Sequence, residues 1–333
     1  MKLRRFVVRL APYLLAALVI AVLLRKYRPS DIAAEVAKGH ALPMIPFALA
    51  VALAYLVLIA AWDTMVLRGC LGRPGFRDIL RGRAGTGLLQ TLGYAAGGGG
   101  YGVWIARKTG ARAALAGGLV LYTMASDLAA VCLVASASMF LGVVAAGRGL
   151  RIAAPVIALL QIGFVLVGPY RLRGQSAPGV LAPWRMMPRG PGLLQMAGRC
   201  LNILVWVVCT WAAERAFGLA IPFGAIATYL PVVLLVRSLP INVAGFGAVQ
   251  AVWVGFFQPW ATGPRILAFQ VLWDLMIAAG IVLRGLPFVR GVIAEIDQGQ
   301  VEAEQKKGPP EAPVGLQAVP GVSRTREPPG KSA

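Results

Sequence analysis

The sequence predicts an all-α polytopic membrane protein with about six full spans and two re-entrant hairpins that form an inverted repeat. Three observations lead to this prediction. Apolar residues make up 58% of the 333 residues and charged residues only 14%, whereas soluble domains have about 45–50% and about 25%. Residues 1–290 hold 28 basic and seven acidic side chains, and the basic clusters lie between apolar segments. Glycine and proline interrupt two of these apolar segments. The chain therefore has little room for a soluble catalytic domain.

The N-terminal third begins with two predicted spans. Residues 6–24 resemble a signal peptide, but no small-x-small cleavage site precedes Arg25 and Lys26, so we expect a retained span. Residues 43–67 form the second span. The segment after it is predicted to be a cytoplasmic loop, because lysine and arginine are enriched on that side of membrane proteins. Its basic residues are Arg68, Arg73, Arg77, Arg81 and Arg83.

The next segment, residues 84–110, contains nine glycines among 27 residues. Each glycine costs about 1 kcal/mol relative to alanine inside a helix, and a broken helix at membrane depth must be shielded by protein or line a cavity. We therefore predict a re-entrant hairpin that enters from the cytoplasmic side. Gly97, Gly99 and Gly102 also match the dinucleotide-binding pattern G-x-G-x-x-G. Apolar spans flank them instead of a strand and an amphipathic helix, so close backbone packing or a turn is the preferred interpretation.

Further spans are predicted at 113–146, 152–169, 192–217 and 264–284. Between the last two, residues 221–260 are apolar but are broken by Pro231, Pro240, Gly245 and Gly247. We predict a second re-entrant hairpin there, which enters from the outside. Residues 1–290 then form one transmembrane domain, and residues 291–333 form a disordered cytoplasmic tail. Both termini are expected in the cytoplasm of a multi-pass protein of the cell (inner) membrane.

The two hairpins are followed by similar spans, which suggests an internal repeat. Asp127 lies 25 residues after Gly102, and Asp274 lies 27 residues after Gly247. If the hairpins enter from opposite faces, their interrupted segments meet near the midplane, as in the binding sites of many transporters. Coincidence in a glycine-rich chain is the alternative.

Arg237 is the most unusual charged residue, because it lies between a Val-Val-Leu-Leu run and Leu239-Pro240. An arginine in lipid costs about 2.5–3.5 kcal/mol on insertion scales, so we expect it to face a cavity or an acidic partner, with Asp127 and Asp274 as candidates. Arginine also binds phosphate well. The alternatives are an ion pair that only fixes helix packing, or an arginine that reaches the interface. Each aspartate could be a counter-ion, a proton or ion site, or a protonated donor.

Other ionisable and reactive residues narrow the function. Asp63 and Glu214 lie toward span ends and are expected to be solvated at the interface. The four cysteines lack C-x-x-C spacing and His40, in an external loop, is the single histidine, so we expect no metal, no cofactor and no cysteine–histidine nucleophile. Because the basic clusters alternate with apolar spans, nucleic acid is not an expected partner. The spans contain few polar residues, so an enzyme is not expected either.

Residues 238–250, Ser-Leu-Pro-Ile-Asn-Val-Ala-Gly-Phe-Gly-Ala-Val-Gln, resemble the Pro-x-x-x-Gly-Gly-x-Gly-x-x-Glu signature of the lysylphosphatidylglycerol synthase transmembrane family. Pro240, Gly245 and Gly247 match, while Ala244 replaces the first glycine and Gln250 the acid. The likeness extends to span order over residues 6–290. It resembles a stand-alone, flippase-like member without the aminoacyl-transferase domain, and some such members are associated with hopanoid synthesis.

The resemblance implies a protein that moves a lipid between leaflets, with the two broken motifs around a headgroup cavity. Gln250 in place of glutamate, together with Arg237, favours an anionic or phosphate-bearing lipid. Membrane lipids and lipid-biosynthesis enzymes are the expected partners, and the oligomeric state stays open. The alternative is a non-transporting subunit that scaffolds a lipid or glycan biosynthetic enzyme. The candidate substrate-binding residues are Arg237, Asp127, Asp274, Pro240, Asn242, Gly245, Gly247, Gln250, Gly100, Gly102, Tyr94 and Arg107.

Overall fold

The computed structural model describes residues 18, 20–91, 94–140, 148–171, 179–238, 242–243 and 246–305. Nearly all of these residues are helical. The helices are α1 (Pro29–Lys38), α2 (Ile45–Leu71), α3 (Phe76–Gly87), α4 (Tyr94–Thr109), α5 (Ala113–Phe140), α6 (Arg148–Arg171), α7 (Ala182–Met186), α8 (Arg189–Phe217), α9 (Phe223–Ser238), α10 (Ala248–Phe257) and α11 (Gly263–Gln305). Two strands, β1 (Asn242–Val243) and β2 (Phe246–Gly247), pair antiparallel between α9 and α10.

Four helical segments of the described chain are long and apolar enough to cross a membrane. They are Leu42–Leu71, Ala113–Phe140, Arg189–Phe217 and Gly263–Asp297. This confirms the prediction of a helical membrane protein and four of its spans. The predicted span at 6–24 lies mostly outside the described residues. The span predicted at 152–169 falls within α6, whose apolar part, Arg151–Val167, is shorter than the other four.

Helices α3 and α4 form an antiparallel hairpin. Lys108 near the end of α4 lies 3.7 Å from Asp78 at the start of α3, and the connection between the two helices begins with a 3-10 turn at Leu88–Thr91. The expectation that the four consecutive glycines would interrupt the helix is wrong, because α4 passes through Gly97–Gly100. A Cβ at Gly97 would lie 2.2 Å from Gln90 Cγ. At this position glycine lets the turn pack directly on the helix.

Helices α9 and α10 form the second hairpin, in which Tyr229 stacks on Phe256 with ring centroids 4.5 Å apart. Pro231 lies inside α9 without ending it. A proline inside a helix leaves the carbonyl four residues earlier without its usual donor. Here the Ser138 hydroxyl on α5 donates to that carbonyl, Ala227 O, at 3.1 Å. The sequence signal for a break at Pro231 is therefore neutralised by a neighbouring helix.

The two hairpins pack on the long helices in a reciprocal way. Helix α3 of the first hairpin packs on α11, and α9 of the second hairpin packs on α5. Helix α2 packs on α11 as α8 packs on α5, while α2 and α8 pack on each other at the centre. The packing of α2 to α5 thus largely resembles that of α8 to α11.

Helix α11 continues well beyond the predicted end of the last span. It passes residue 290, where the sequence predicts the start of a disordered tail, and ends at Gln305. Contacts with the first hairpin explain the extension, because Glu295 accepts hydrogen bonds from Trp104 Nε1 at 2.8 Å and Lys108 Nζ at 2.9 Å. Residues 306–333 lie outside the described residues.

Candidate functional site

A buried ionic network joins α2, α5 and α8 at the centre of the bundle. The Arg199 guanidinium, fully buried on α8, donates from Nη2 to Asp63 Oδ1 at 2.6 Å and from Nη1 to Asp127 Oδ1 at 2.5 Å. Asp63 is also fully buried. Since buried charges are tolerated when they are paired and hydrogen-bonded, this geometry accounts for a guanidinium inside an apolar bundle.

Arg83 extends the network to the first hairpin. Its guanidinium lies 2.5 Å from Asp63 Oδ2, and its Cζ lies 3.7 Å from the centroid of the Tyr101 ring on α4, which is within the range of a cation–π contact. The predicted placement of Arg83 in a cytoplasmic loop is wrong, because α3 turns this side chain inward. Tyr101 in turn stacks on Trp104.

Neutral side chains fix the orientation of Arg199. Gln195 lies one turn earlier on α8, and its Oε1 accepts a hydrogen bond from Arg199 Nε at 2.8 Å. The Gln195 amide then donates to the Ser126 hydroxyl on α5 at 2.8 Å. The guanidinium is therefore held on three sides, and two arginines balance two aspartates in charge. Removal of any one of the four would leave an uncompensated buried charge.

A narrow cleft opens beside this network, between the tip of the first hairpin and α5. It has room for about one water molecule, so a lipid headgroup would require the helices to move apart. The residues that line it are Tyr55, Ile59, Arg83, Gln90, Gly98, Val120, Thr123, Met124 and Asp127.

The predicted pairing of Arg237 is confirmed, with Asp274 as the partner. Arg237 Nη1 on α9 donates to Asp274 Oδ1 on α11 at 2.6 Å. The Arg237 side chain is 28% exposed, whereas that of Asp274 is 4% exposed. The second carboxylate oxygen, Asp274 Oδ2, is buried and has no hydrogen-bond partner among the described residues. Asp127, the other predicted candidate, belongs to the Arg199 network instead.

The tip of the second hairpin is organised by Gly247 and Gln250. Gly247 has a φ of 131° and pairs with Asn242 across the two-residue strands. Its backbone N–H donates to Gln250 Oε1 at 2.6 Å, so Gln250 caps the start of α10. Pro240 and Gly245 lie outside the described residues.

The candidate residues of the first hairpin occupy different positions from those predicted. Tyr94 is the first residue of α4, and Gly100 and Gly102 lie within the helix instead of at a turn. The connection near Leu88–Thr91 precedes them because Gln90 packs against Gly97 and Leu89 against Gly100. Arg107 lies in the last turn of α4.

Sequence reasoning missed Arg199 and placed Asp63 and Glu214 incorrectly. Asp63 and Glu214 are fully buried and not solvated at span ends. Arg199 lies inside the predicted span 192–217, which is the same property that singled out Arg237. The available signal was therefore an arginine within an apolar segment, although sequence could not pair it with Asp63, 136 residues away. His40 is exposed, as expected.

Within the described ranges, no group of three or more histidine, cysteine, aspartate or glutamate side chains is arranged to hold a metal ion. The comparisons with known proteins give no assignment. No protein-family model matches the sequence, and no curated protein matches it.

Proposed function

We propose that this protein moves a phosphate-bearing lipid between the leaflets of the cell (inner) membrane. The observation that carries the proposal is an arginine on the first helix of each hairpin that pairs with an aspartate on a long apolar helix. These pairs are Arg83 with Asp63 and Arg237 with Asp274. Both put a guanidinium, the side chain best suited to bidentate phosphate binding, inside a bundle that is otherwise apolar.

The reciprocal packing of the hairpins supports an inverted repeat. Each hairpin packs its first helix on the last long helix of the other half, α3 on α11 and α9 on α5. A two-fold relation between α2–α5 and α8–α11 accounts for this exchange. Three helices, α5, α6 and α8, separate the hairpins along the chain. If all three cross the membrane, the hairpins enter from opposite faces, the arrangement of transporters with a midplane site.

Arg237 is the proposed headgroup contact. It is the more exposed of the two hairpin arginines, at 28% against 9% for Arg83, and it retains a counter-charge in Asp274. A lipid phosphate that reaches Arg237 replaces part of this ion pair with another, so the guanidinium stays neutralised throughout. The Arg83–Asp63–Arg199–Asp127 network and its cleft serve the same purpose in the opposite half.

The resemblance of residues 238–250 to the lysylphosphatidylglycerol synthase transmembrane family is consistent with this activity. The conformation of the motif also fits, since Gly247 and Gln250 shape the hairpin tip beside Arg237 in the chain. The basic residues near the junctions α2–α3, α4–α5 and α7–α8 favour a cytoplasmic location for that end of the bundle. In this orientation both termini are cytoplasmic.

Translocation of fluorescent phosphatidylglycerol in vesicles that contain the purified full-length protein tests the proposal. Outer-leaflet fluorescence is quenched chemically, and the fraction that becomes accessible with time reports translocation. We expect the wild-type protein to accelerate this step and the Arg237→Gln variant to lose most of the acceleration. Arg77→Gln is the matched control, because Arg77 is exposed on α3 and loses the same charge.

Two results would overturn the proposal. One is wild-type protein that accelerates translocation of neither phosphatidylglycerol nor phosphatidylethanolamine, and the other is an Arg237→Gln variant as active as Arg77→Gln. Absence of translocation together with stable co-purification of a lipid-synthesising enzyme would instead favour a scaffolding role.

A further inference from the structure

Glu214, near the end of α8, is the one fully buried carboxyl without a hydrogen-bond partner or a salt bridge in the described part of the chain. Its exposed fraction is 0%, and neither Oε1 nor Oε2 has a hydrogen-bond partner. The other buried acids, Asp63 and Asp274, are each held by an arginine at 2.6 Å or less. Glu214 therefore needs a different explanation.

The neighbouring helices supply no cation to Glu214. Helix α2 has no charged residue between Ile45 and Trp62, α5 has none after Asp127, and α9 has none before Arg237. Arg237 is paired with Asp274. The tyrosines of these segments are engaged elsewhere, Tyr55 edge-on against Trp206 and Tyr229 against Phe256.

The arginines nearest to Glu214 at this end of the bundle are also engaged or exposed. Arg215, the next residue, is exposed with its guanidinium carbon 5.7 Å from the Trp211 ring centroid. Arg265 on α11 donates to Gly218 O at 2.8 Å and lies 3.9 Å from Glu35. Arg148 and Arg151 of α6 are exposed. On α11, Arg284 donates to Ala52 O.

We propose that Glu214 is a proton-binding site, protonated in this conformation and deprotonated when the bundle rearranges. An ionised carboxylate without a partner is too costly in such surroundings, and protonation removes the charge. The neutral acid resembles its neighbours on this face, because Thr210, one turn earlier on α8, is likewise a buried neutral polar group. Release takes the proton from the carboxyl oxygen to water and leaves the carboxylate.

The contacts of α8 with α11 connect this site to Arg237 and Asp274. The Phe217 ring, three residues after Glu214, packs against Phe269 on α11 with centroids 5.7 Å apart. Asp274 lies five residues farther along α11. A shift of α11 relative to α8 that separates Asp274 from Arg237 also changes the burial of Glu214. Proton release and headgroup binding are then coupled, a step that rests on the proposed lipid transport, whereas the proton site itself does not.

Infrared spectroscopy of the purified full-length protein at neutral pH tests the proton site directly. We expect an absorption band of a protonated carboxyl that disappears in Glu214→Gln and persists in Glu35→Gln, where the replaced group is an exposed ion-pair partner. Glutamine has the shape of the neutral acid, so Glu214→Gln should melt at or above the wild-type temperature. A band unaffected by Glu214→Gln, or a clear fall in melting temperature, would overturn the protonated assignment.

The coupling is tested in the same vesicles with an imposed pH gradient. We expect the gradient to change the wild-type rate of lipid translocation several-fold and to leave the rate of Glu214→Gln unchanged. Wild-type translocation that ignores the gradient would refute the coupling and leave the proposed function standing. If the wild-type protein moves no lipid, the proposed function and the coupling both fail, and the infrared band still decides whether Glu214 binds a proton.

Discussion

Asp63 on α2 accepts a hydrogen bond from Arg199 on α8 at 2.6 Å, and both side chains are fully buried. Asp63 also accepts from Arg83, so one carboxylate balances parts of two guanidinium charges. The central helices α2 and α8 are thereby tied to each other and to the first hairpin.

Loss of the Asp63 charge should destabilise the protein severely. Asp63→Asn leaves Arg83 and Arg199 with only Asp127 as a counter-charge, and breaking a buried ion pair costs about 3–5 kcal/mol. The free energy of unfolding, measured by denaturant titration in mixed micelles, should fall by about that amount. Asp31→Asn is the control, because Asp31 is exposed on α1 and surface substitutions stay within about 0.5 kcal/mol. Equal stability of the two variants would refute the network as a structural element.

Two neighbouring glycines of α4 should respond to alanine in opposite ways. A Cβ at Gly97 would meet Gln90 Cγ at 2.2 Å and its backbone Cα at 3.2 Å, whereas nothing lies within 4 Å of a Cβ at Gly99. Overpacking should cost Gly97→Ala about 1–3 kcal/mol. Gly99→Ala should gain up to about 1 kcal/mol from helix propensity. Thermal melting of the two purified variants gives the comparison, and a Gly97→Ala protein as stable as Gly99→Ala would contradict the close contact between the turn and α4.

Gly247 should be intolerant of a side chain for a different reason. Its φ of 131° lies in a region that residues with a Cβ rarely adopt, and strain there is of order 1–3 kcal/mol. Gly247→Ala should therefore loosen the second hairpin, and amide hydrogen exchange in α10 should become faster. Gly255→Ala serves as the control on the same helix, since a Cβ there meets nothing within 4 Å. Unchanged exchange in Gly247→Ala would mean that the tip does not depend on this conformation.

Much of the fold could be predicted from local patterns. The apolar segments at 43–67, 113–146, 192–217 and 264–284 contain four membrane-length helices of the structure. Breaks were harder to predict, because glycine and proline act on a helix through their neighbours. Pro231 is accommodated by Ser138, and the glycines of α4 provide close contacts instead of a bend. The end of α11 was also missed, since Glu295 is stabilised by Trp104 and Lys108 from a distant part of the chain.

The candidate site was predicted only in part. Arg237 and Asp274 stand out in sequence because a charge in an apolar run is rare, and the structure pairs them. Arg83 looked like one of several loop arginines, and only the inward turn of α3 distinguishes it from Arg77.

By itself, the sequence determined that the chain is a helical membrane protein and that its few internal charges require partners, because transfer of apolar and charged groups from water depends on composition alone. The tertiary structure decided which charges meet. Arg199 joins Asp63 and Asp127, Arg237 joins Asp274, and Glu214 remains without a cation. Such pairings depend on the rotation and depth of helices far apart in the chain, and no local pattern specifies either.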